Sequence, residues 1–149
     1  RRHAGHHPTR EIVAAVVIEG RLTPQDMADW LLGTDGLSLA YSSADPEAVA
    51  QVQAQYGRDR SSHALEAFFA DVARHVITGG ATRIITAGGE TSGAVVEALA
   101  LGTLEIGPEI DPGVPALRAR HDLVVALKSG NFGAEDFFEK AARQLAGTP

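Results

Sequence analysis

Two hydrophobic rhythms alternate along this chain. Short apolar runs punctuated by glycine or proline read as strands, and longer stretches with apolar residues at i, i+3 and i+4 read as helices. Ile12 to Ile18 is apolar and β-branched, which predicts a strand. Thr23-Pro24-Gln25-Asp26 starts a helix, with Thr23 as cap and Pro24 in the first turn. Met27, Trp30 and Leu31 give that helix its apolar face. Leu37 to Ser42 predicts a second strand, and Asp45-Pro46 opens a helix whose buried face is marked by Val49, Val52 and Tyr56. After a polar break, Ser62 to Thr78 is the longest helix, with Leu65, Phe68, Phe69, Val72 and Val76 in phase.

The stretch Arg83 to Leu101 organises the rest. Ile84-Ile85-Thr86-Ala87 reads as a buried strand, Gly88-Gly89-Glu90-Thr91-Ser92-Gly93 as a turn, and Ala94 to Leu99 as helix. Thr103 to Ile106 predicts a short strand. Gly107 to Pro115 is too rich in Pro and Gly for a helix or a central strand, so a rigid loop is expected there. Leu117 to His121 is polar and expected to be exposed. Leu123 to Leu127 is a buried-type strand, Lys128-Ser129-Gly130-Asn131-Phe132-Gly133 a second glycine turn, and Ala134 to Leu145 a helix. The alternation predicts a three-layer α/β/α domain with a mostly parallel sheet and helices on both faces.

The two strand–turn–helix units are where chemistry enters. Unpaired N–H groups at a helix N-terminus form a ready anion site, and glycine lets backbone approach a ligand. Thr91 or Ser92 supplies a helix cap or a hydroxyl for a phosphate or its metal. From local pattern alone a plain β-to-α turn with a good cap is the commoner reading of the first loop, because neither G-x-x-x-x-G-K-[ST] nor G-x-G-x-x-G is present. Glu90 would repel a phosphate, so it should face a ribose hydroxyl, a bridging cation or solvent. In open α/β sheets ligands bind beyond the C-terminal strand ends, and two glycine-rich loops there strengthen the binding reading. Lys128 puts a cation at the second such end, although a lysine snorkelling to water would look the same.

Elsewhere the bland alternatives prevail. Tyr41-Ser42-Ser43 could offer hydroxyls to a cleft, but cap and turn chemistry explains them as well. Glu109 and Asp111 are expected to be solvated loop acids. His3, His6 and His7 lack acidic or thiol neighbours, and no metal ligand set is assigned. Trp30 and the aromatics of the long helix read as core.

Composition narrows the classes. Apolar residues at 44% and charged residues at 21% are ordinary for a globular domain of 149 residues. A net charge of −6 disfavours a nucleic-acid surface. Absent cysteine excludes disulfides and thiolate chemistry and suits a reducing, cytoplasmic setting. No apolar run approaches the ~20 residues of a membrane helix. Only Lys128 and Lys140 are lysines, against 11 arginines.

Three ordered motifs carry a family resemblance: Gly88 to Gly93, Ile106 to Pro115, and Leu127 to Gly133. Tyr41 to Asp45 and Glu135 to Phe138 also match, so the likeness runs from about Tyr41 to Ala142. The sequence resembles the four-carbon acid sugar kinases, specifically the C-terminal nucleotide-binding domain of 3-oxo-tetronate 4-kinases. Some relatives are named Hrp-dependent type III effectors. The resemblance implies ATP with Mg²⁺ and phosphorylation of the terminal hydroxyl of a four-carbon sugar acid. It puts Gly88, Gly89, Glu90 and Thr91, and Ser129, Gly130, Asn131, Phe132 and Gly133, against the nucleotide. Ser92, Gly93 and Lys128 join them as cofactor-binding candidates, while no catalytic residue is assigned.

Residues 1–149 are then expected to form a single nucleotide-binding domain, the C-terminal half of a two-domain kinase. The family's N-terminal sugar-binding domain and a serine-rich loop just upstream have no counterpart here. A fragment or remnant, inactive by itself, is the expectation, and a homo-oligomer is left open. The alternative is a non-catalytic module, effector-like or regulatory, that binds a nucleotide or a protein.

Overall fold

The computed structural model describes residues 7–42, 45–120, 122–130 and 132–147. Ser43, His121 and Asn131, among the residues singled out above, lie outside that set, as do His3 and His6. In chain order the elements are β1 (Thr9–Glu11), α1 (Ala14–Ile18), α2 (Pro24–Gly33), β2 (Leu39–Tyr41), α3 (Pro46–Tyr56) and α4 (Arg58–Thr78). There follow β3 (Arg83–Ala87), α5 (Gly89–Ala98), β4 (Glu105–Asp111), β5 (Val114–Arg120), β6 (Leu123–Lys128) and α6 (Phe137–Ala146).

A four-stranded sheet has the order β3-β6-β5-β4, and a separate pair joins β1 to β2. β1 with β2 and β3 with β6 are parallel; β4 with β5 and β5 with β6 are antiparallel. The fold is therefore α/β with a mixed sheet. Successive side chains of β6 point to opposite faces. Val124 and Ala126 pack against Phe137, Ala141 and Leu145 of α6. Leu123 and Val125 pack with Leu101, Ile77 and Val96 on the α4 and α5 side. A third cluster, around Met27, Ala28, Phe68 and Val72, seats α2 on α4. Helices thus cover both faces.

The antiparallel pairs come largely from Gly107 to Pro115, read as a rigid loop, and from Leu117 to Arg120, read as exposed although Leu117 and Ala119 pack against the core. Residues 105–120 form a hairpin, and its turn chemistry is visible in hindsight. Asp111-Pro112-Gly113-Val114 puts Pro at i+1 and Gly, with φ of 78°, at i+2, as a type II turn requires. Pro108 is tolerated because β4 is an edge strand. Pro115 precedes the first β5–β6 pair, Ala116 with Ala126, so its missing N–H costs that ladder nothing.

Other boundaries also moved. Ile12 to Ile18 is not a strand: β1 ends at Glu11 and Ala14–Ile18 is a short helix lying on α4. A short apolar run has no period to separate strand from helix, and tertiary packing decides. The long helix begins at Arg58, absorbing the expected polar break; Gly57, at φ of 86°, turns the chain between α3 and α4. Ser61, buried there, donates its hydroxyl to the Gly57 carbonyl at 2.7 Å. α3 buries none of its residues, and Val49 is exposed. The α2 start behaves as read: Thr23 and Asp26 form a reciprocal capping box.

Candidate functional site

β3 and β6 run side by side and each ends in a glycine turn, so the turns emerge together. In register Ala87 faces Lys128, and the Gly88 N–H donates to the Lys128 carbonyl at 2.8 Å. That bond carries the β3–β6 ladder one step past the strand and welds one turn to the other. Gly88 has φ of 111°, a conformation side chains rarely adopt. It caps α5 without any side-chain cap bond, so the first-turn N–H groups of Gly89, Glu90 and Thr91 stay available.

Ser92 does not face outward. It is buried, its hydroxyl pairs with that of Thr86 at 2.8 Å, and its N–H donates to the Gly88 carbonyl at 2.9 Å. It is a strut between β3 and α5, which leaves Thr91 as the hydroxyl of this turn. A Cβ on Gly89 or Gly93 would meet nothing within 4 Å, whereas one on Gly88 would lie 3.6 Å from the Thr91 hydroxyl.

In the second turn the Lys128 ammonium donates to the carbonyls of Ser129 at 3.2 Å and Gly130 at 3.1 Å. It also sits 6.0 Å from the centre of the Phe137 ring. Gly133, at φ of 84°, packs so closely that a Cβ would come within 3.1 Å of Lys128 Cε and 3.2 Å of Phe137. Phe132 is 49% exposed.

Sequence reading missed the support beneath this second turn. Asp111 is not a solvated loop acid. It is buried, accepting the Ala134 N–H at 2.9 Å and the Lys140 ammonium at 2.9 Å. Lys140 above all, then the Ala134 N–H, holds the Asp111 carboxyl below its ordinary range, while desolvation opposes them. Lys140 also pairs with Asp136, one helical turn back. Glu109 accepts the Gly113 N–H at 3.2 Å, shaping the hairpin tip. That tip rests on the Phe132 ring, 3.1 Å from where a Gly113 Cβ would be. The hairpin therefore props the turn that carries Ser129, Gly130, Phe132 and Gly133.

A cleft of about 750 Å³ lies between β2 and β3. It reaches the first glycine turn through Thr86, Ala87 and Thr91, and receives Tyr41 and Ser42 from β2, but it does not touch the second turn. Among the described residues no three His, Cys, Asp or Glu side chains gather as a metal site. No described helix is long and apolar enough to cross a membrane.

Two glycine turns at adjacent parallel strand ends of an α/β sheet, one of them at a helix N-terminus, are an arrangement suited to an anionic ligand. The chain belongs to the family described as the nucleotide-binding C-terminal domain, whose model matches residues 4–138, within the four-carbon acid sugar kinases. It is 48% identical over 126 residues to the 3-oxo-tetronate kinase of Pectobacterium atrosepticum, covering 82% of this chain and 30% of that one. It is 42% identical over 146 residues to the 3-oxo-tetronate kinase of Salmonella typhimurium, covering 94% and 35%. The crystal structure of Haemophilus influenzae protein HI1011 superposes with a TM-score of 0.88 at 36% identity, over 95% of this chain and 35% of that one. The chain thus spans about a third of the length of the curated relatives it matches.

Proposed function

We propose that residues 1–149 form a single domain that binds ATP as the C-terminal half of a kinase. Joined to a substrate domain, it phosphorylates the terminal hydroxyl of a 3-oxo-tetronate-like four-carbon acid. The observation that carries this reading is the Gly88-to-Lys128 bond, which unites two glycine turns into one floor at the strand ends. The curated relatives named above are 3-oxo-tetronate kinases, which supports the substrate class.

Phosphoryl transfer asks a protein mainly for positioning and charge neutralisation. Free N–H groups at the start of α5, with the open face of Gly89 and Gly93, suit phosphate oxygens. Lys128 adds a point charge by turning from its loop carbonyls. The Ser129-Gly130-Asn131-Phe132-Gly133 turn lines the nucleotide, and the exposed Phe132 ring offers a face on which a base stacks. Mg²⁺ takes one or two carboxylates together with phosphates and water. Glu90, exposed in the first turn of α5, would supply the single carboxylate such an ion needs beside the phosphates, and the ion would offset phosphate charge. The acceptor hydroxyl and a general base belong to the other domain.

The test is a calorimetric titration with ATP, followed by an ADP-release assay over a panel of tetronates and oxo-tetronates. The chain alone should bind ATP without turning over any acid. Joined to the N-terminal part of the Pectobacterium atrosepticum relative, it should turn over. Failure of both proteins to bind ATP overturns the proposal; binding without turnover in the joined protein favours the non-catalytic module instead.

A further inference from the structure

The cleft between β2 and β3 is walled like the interior of a sheet. A second, smaller cleft of about 470 Å³ continues it towards the strand starts, where Leu37 and Arg83 lie. Both clefts are lined by Leu39 of β2 and by Ile84 and Ile85 of β3. Val76 of α4 and Phe138 of α6 also line both, so a helix stands on either side of the gap. Tyr41 and Ser42 share one end with Ala87, while Leu37 shares the other with Arg83, so β2 and β3 run the same way.

The backbone bordering the gap faces into it. Leu39 N–H donates to Pro8 and the Tyr41 carbonyl accepts from Ile12, both on the β1 side. By strand alternation, Ala40 turns its N–H and C=O the other way, into the gap. On β3 the Thr82 carbonyl accepts from Val124, and Gly88 donates to Lys128. The odd-numbered positions Arg83, Ile85 and Ala87 therefore aim their backbone groups away from β6, again into the gap. Two parallel-paired edges thus confront each other across a slot whose shared walls include Leu39, Val76, Ile84, Ile85 and Phe138. A strand fills roughly 160 Å³ per residue, from its rise, spacing and layer depth, so the larger cleft holds roughly five residues. β3 itself is 5 residues long.

We propose that this gap is a strand slot. Its occupant is an extended, apolar segment from the part of a full-length kinase that lies outside residues 1–149, the relatives being about three times as long. Such a strand adds to both edges at once, as in β-augmentation, and makes β1-β2 and β3-β6-β5-β4 one sheet. One end of it emerges beside Ala87 and Thr91, against the first glycine turn. The inference rests on the reading of the chain as part of a longer kinase.

Amide hydrogen exchange tests it on the 149-residue chain alone and on the same chain joined to the N-terminal part of the Pectobacterium atrosepticum relative. The gap-facing amides of Ala40, Ile85 and Ala87 should exchange at least about tenfold more slowly in the joined protein. Ile84 and Thr86, already turned to β6, should hardly change. Equal exchange at Ala40, Ile85 and Ala87 in the two proteins overturns the slot, even if the joined protein is an active kinase. Protection of those amides without turnover upholds the slot and removes the kinase reading instead. Protection in the chain alone that disappears on dilution identifies a second copy as the occupant and also overturns the proposal.

Discussion

The Asp111 carboxylate reaches 23 residues along the chain to accept the Ala134 N–H at 2.9 Å, tying the hairpin tip to the residues that lead into α6. Lys140, from the helix itself, takes the other oxygen. The second glycine turn is thus held between a strand end and an ion pair whose carboxylate is buried and whose ammonium is partly exposed.

This clamp has a pH signature. The Asp111 carboxyl titrates below its ordinary range, so its contribution is fully present above about pH 4 and is lost as pH falls through the lowered value. Lys140 is raised, chiefly by Asp111 and then Asp136, so its share persists until pH climbs through that raised value. Denaturant midpoints of wild type and Asp111→Asn, measured from pH 7 to pH 2.5, should differ at neutrality and converge in acid. A gap that is constant with pH would show that Asp111 acts through shape alone.

The adjacent glycines of the first turn should separate fold from ligand. Gly88→Ala places a side chain at φ of 111° and is expected to cost about 1–3 kcal/mol of stability. Gly89→Val meets no neighbour and has ordinary helical geometry, so its stability cost should stay under about 1 kcal/mol. Its ATP affinity should nonetheless fall, because the branched side chain occupies the face a phosphate approaches. Urea unfolding beside calorimetric titration resolves the two; unchanged affinity in Gly89→Val removes the turn from the site.

Lys128 should distinguish phosphate from base. Lys128→Met is expected to lose roughly 1.5–3 kcal/mol of ATP affinity, the range of a charged hydrogen bond. Adenosine, lacking phosphate, should bind both proteins alike. An equal loss for the two ligands would instead mean that the bonds from Lys128 to Ser129 and Gly130 merely shape the loop.

Phe137 and Val49 mark the extremes of burial. Phe137→Ala should destabilise the domain by about 3–5 kcal/mol, since the ring is 1% exposed beneath the second turn. Val49→Ala, on a helix that buries nothing, should change stability by less than about 0.5 kcal/mol. Thermal or urea midpoints check both, and a large Val49 effect would mean that the exposed Val49 face of α3 is covered in solution.

Strand–turn–helix units were legible because a buried apolar run, glycine and a helical run follow one another locally, although no side chain caps α5 or α6. The apolar strands, the α2 capping box and the apolar face of α4 could be read that way, whereas the first glycine turn is shorter than read, because α5 already begins at Gly89. What escaped depends on distance. Nothing near Asp111 announces Ala134 or Lys140, and nothing near Ser92 announces that its hydroxyl turns inward to Thr86. Pro108, Pro112 and Pro115 conceal the hairpin in the sequence, because a proline breaks a strand only where its N–H is needed. At an edge strand, a turn and the end of a ladder, none is. α1 was misread because its run is too short to display a period.

The order in which strands pair also governs how the domain assembles. β4, β5 and β6 are consecutive and antiparallel, so their contacts close short loops. β3 must cross α5 and the whole hairpin before it meets β6. Local pairs form at lower entropic cost than distant ones, so the meander is expected to nucleate and β3 to dock late. Val125→Ala, in the middle of the meander, should then slow refolding, whereas Ile85→Ala on β3 should chiefly hasten unfolding. Stopped-flow chevrons of the two variants would read this directly. The Gly88-to-Lys128 bond closes only after β3 has docked, so a nascent or partly unfolded chain has no nucleotide floor until nearly all of its sheet is in place.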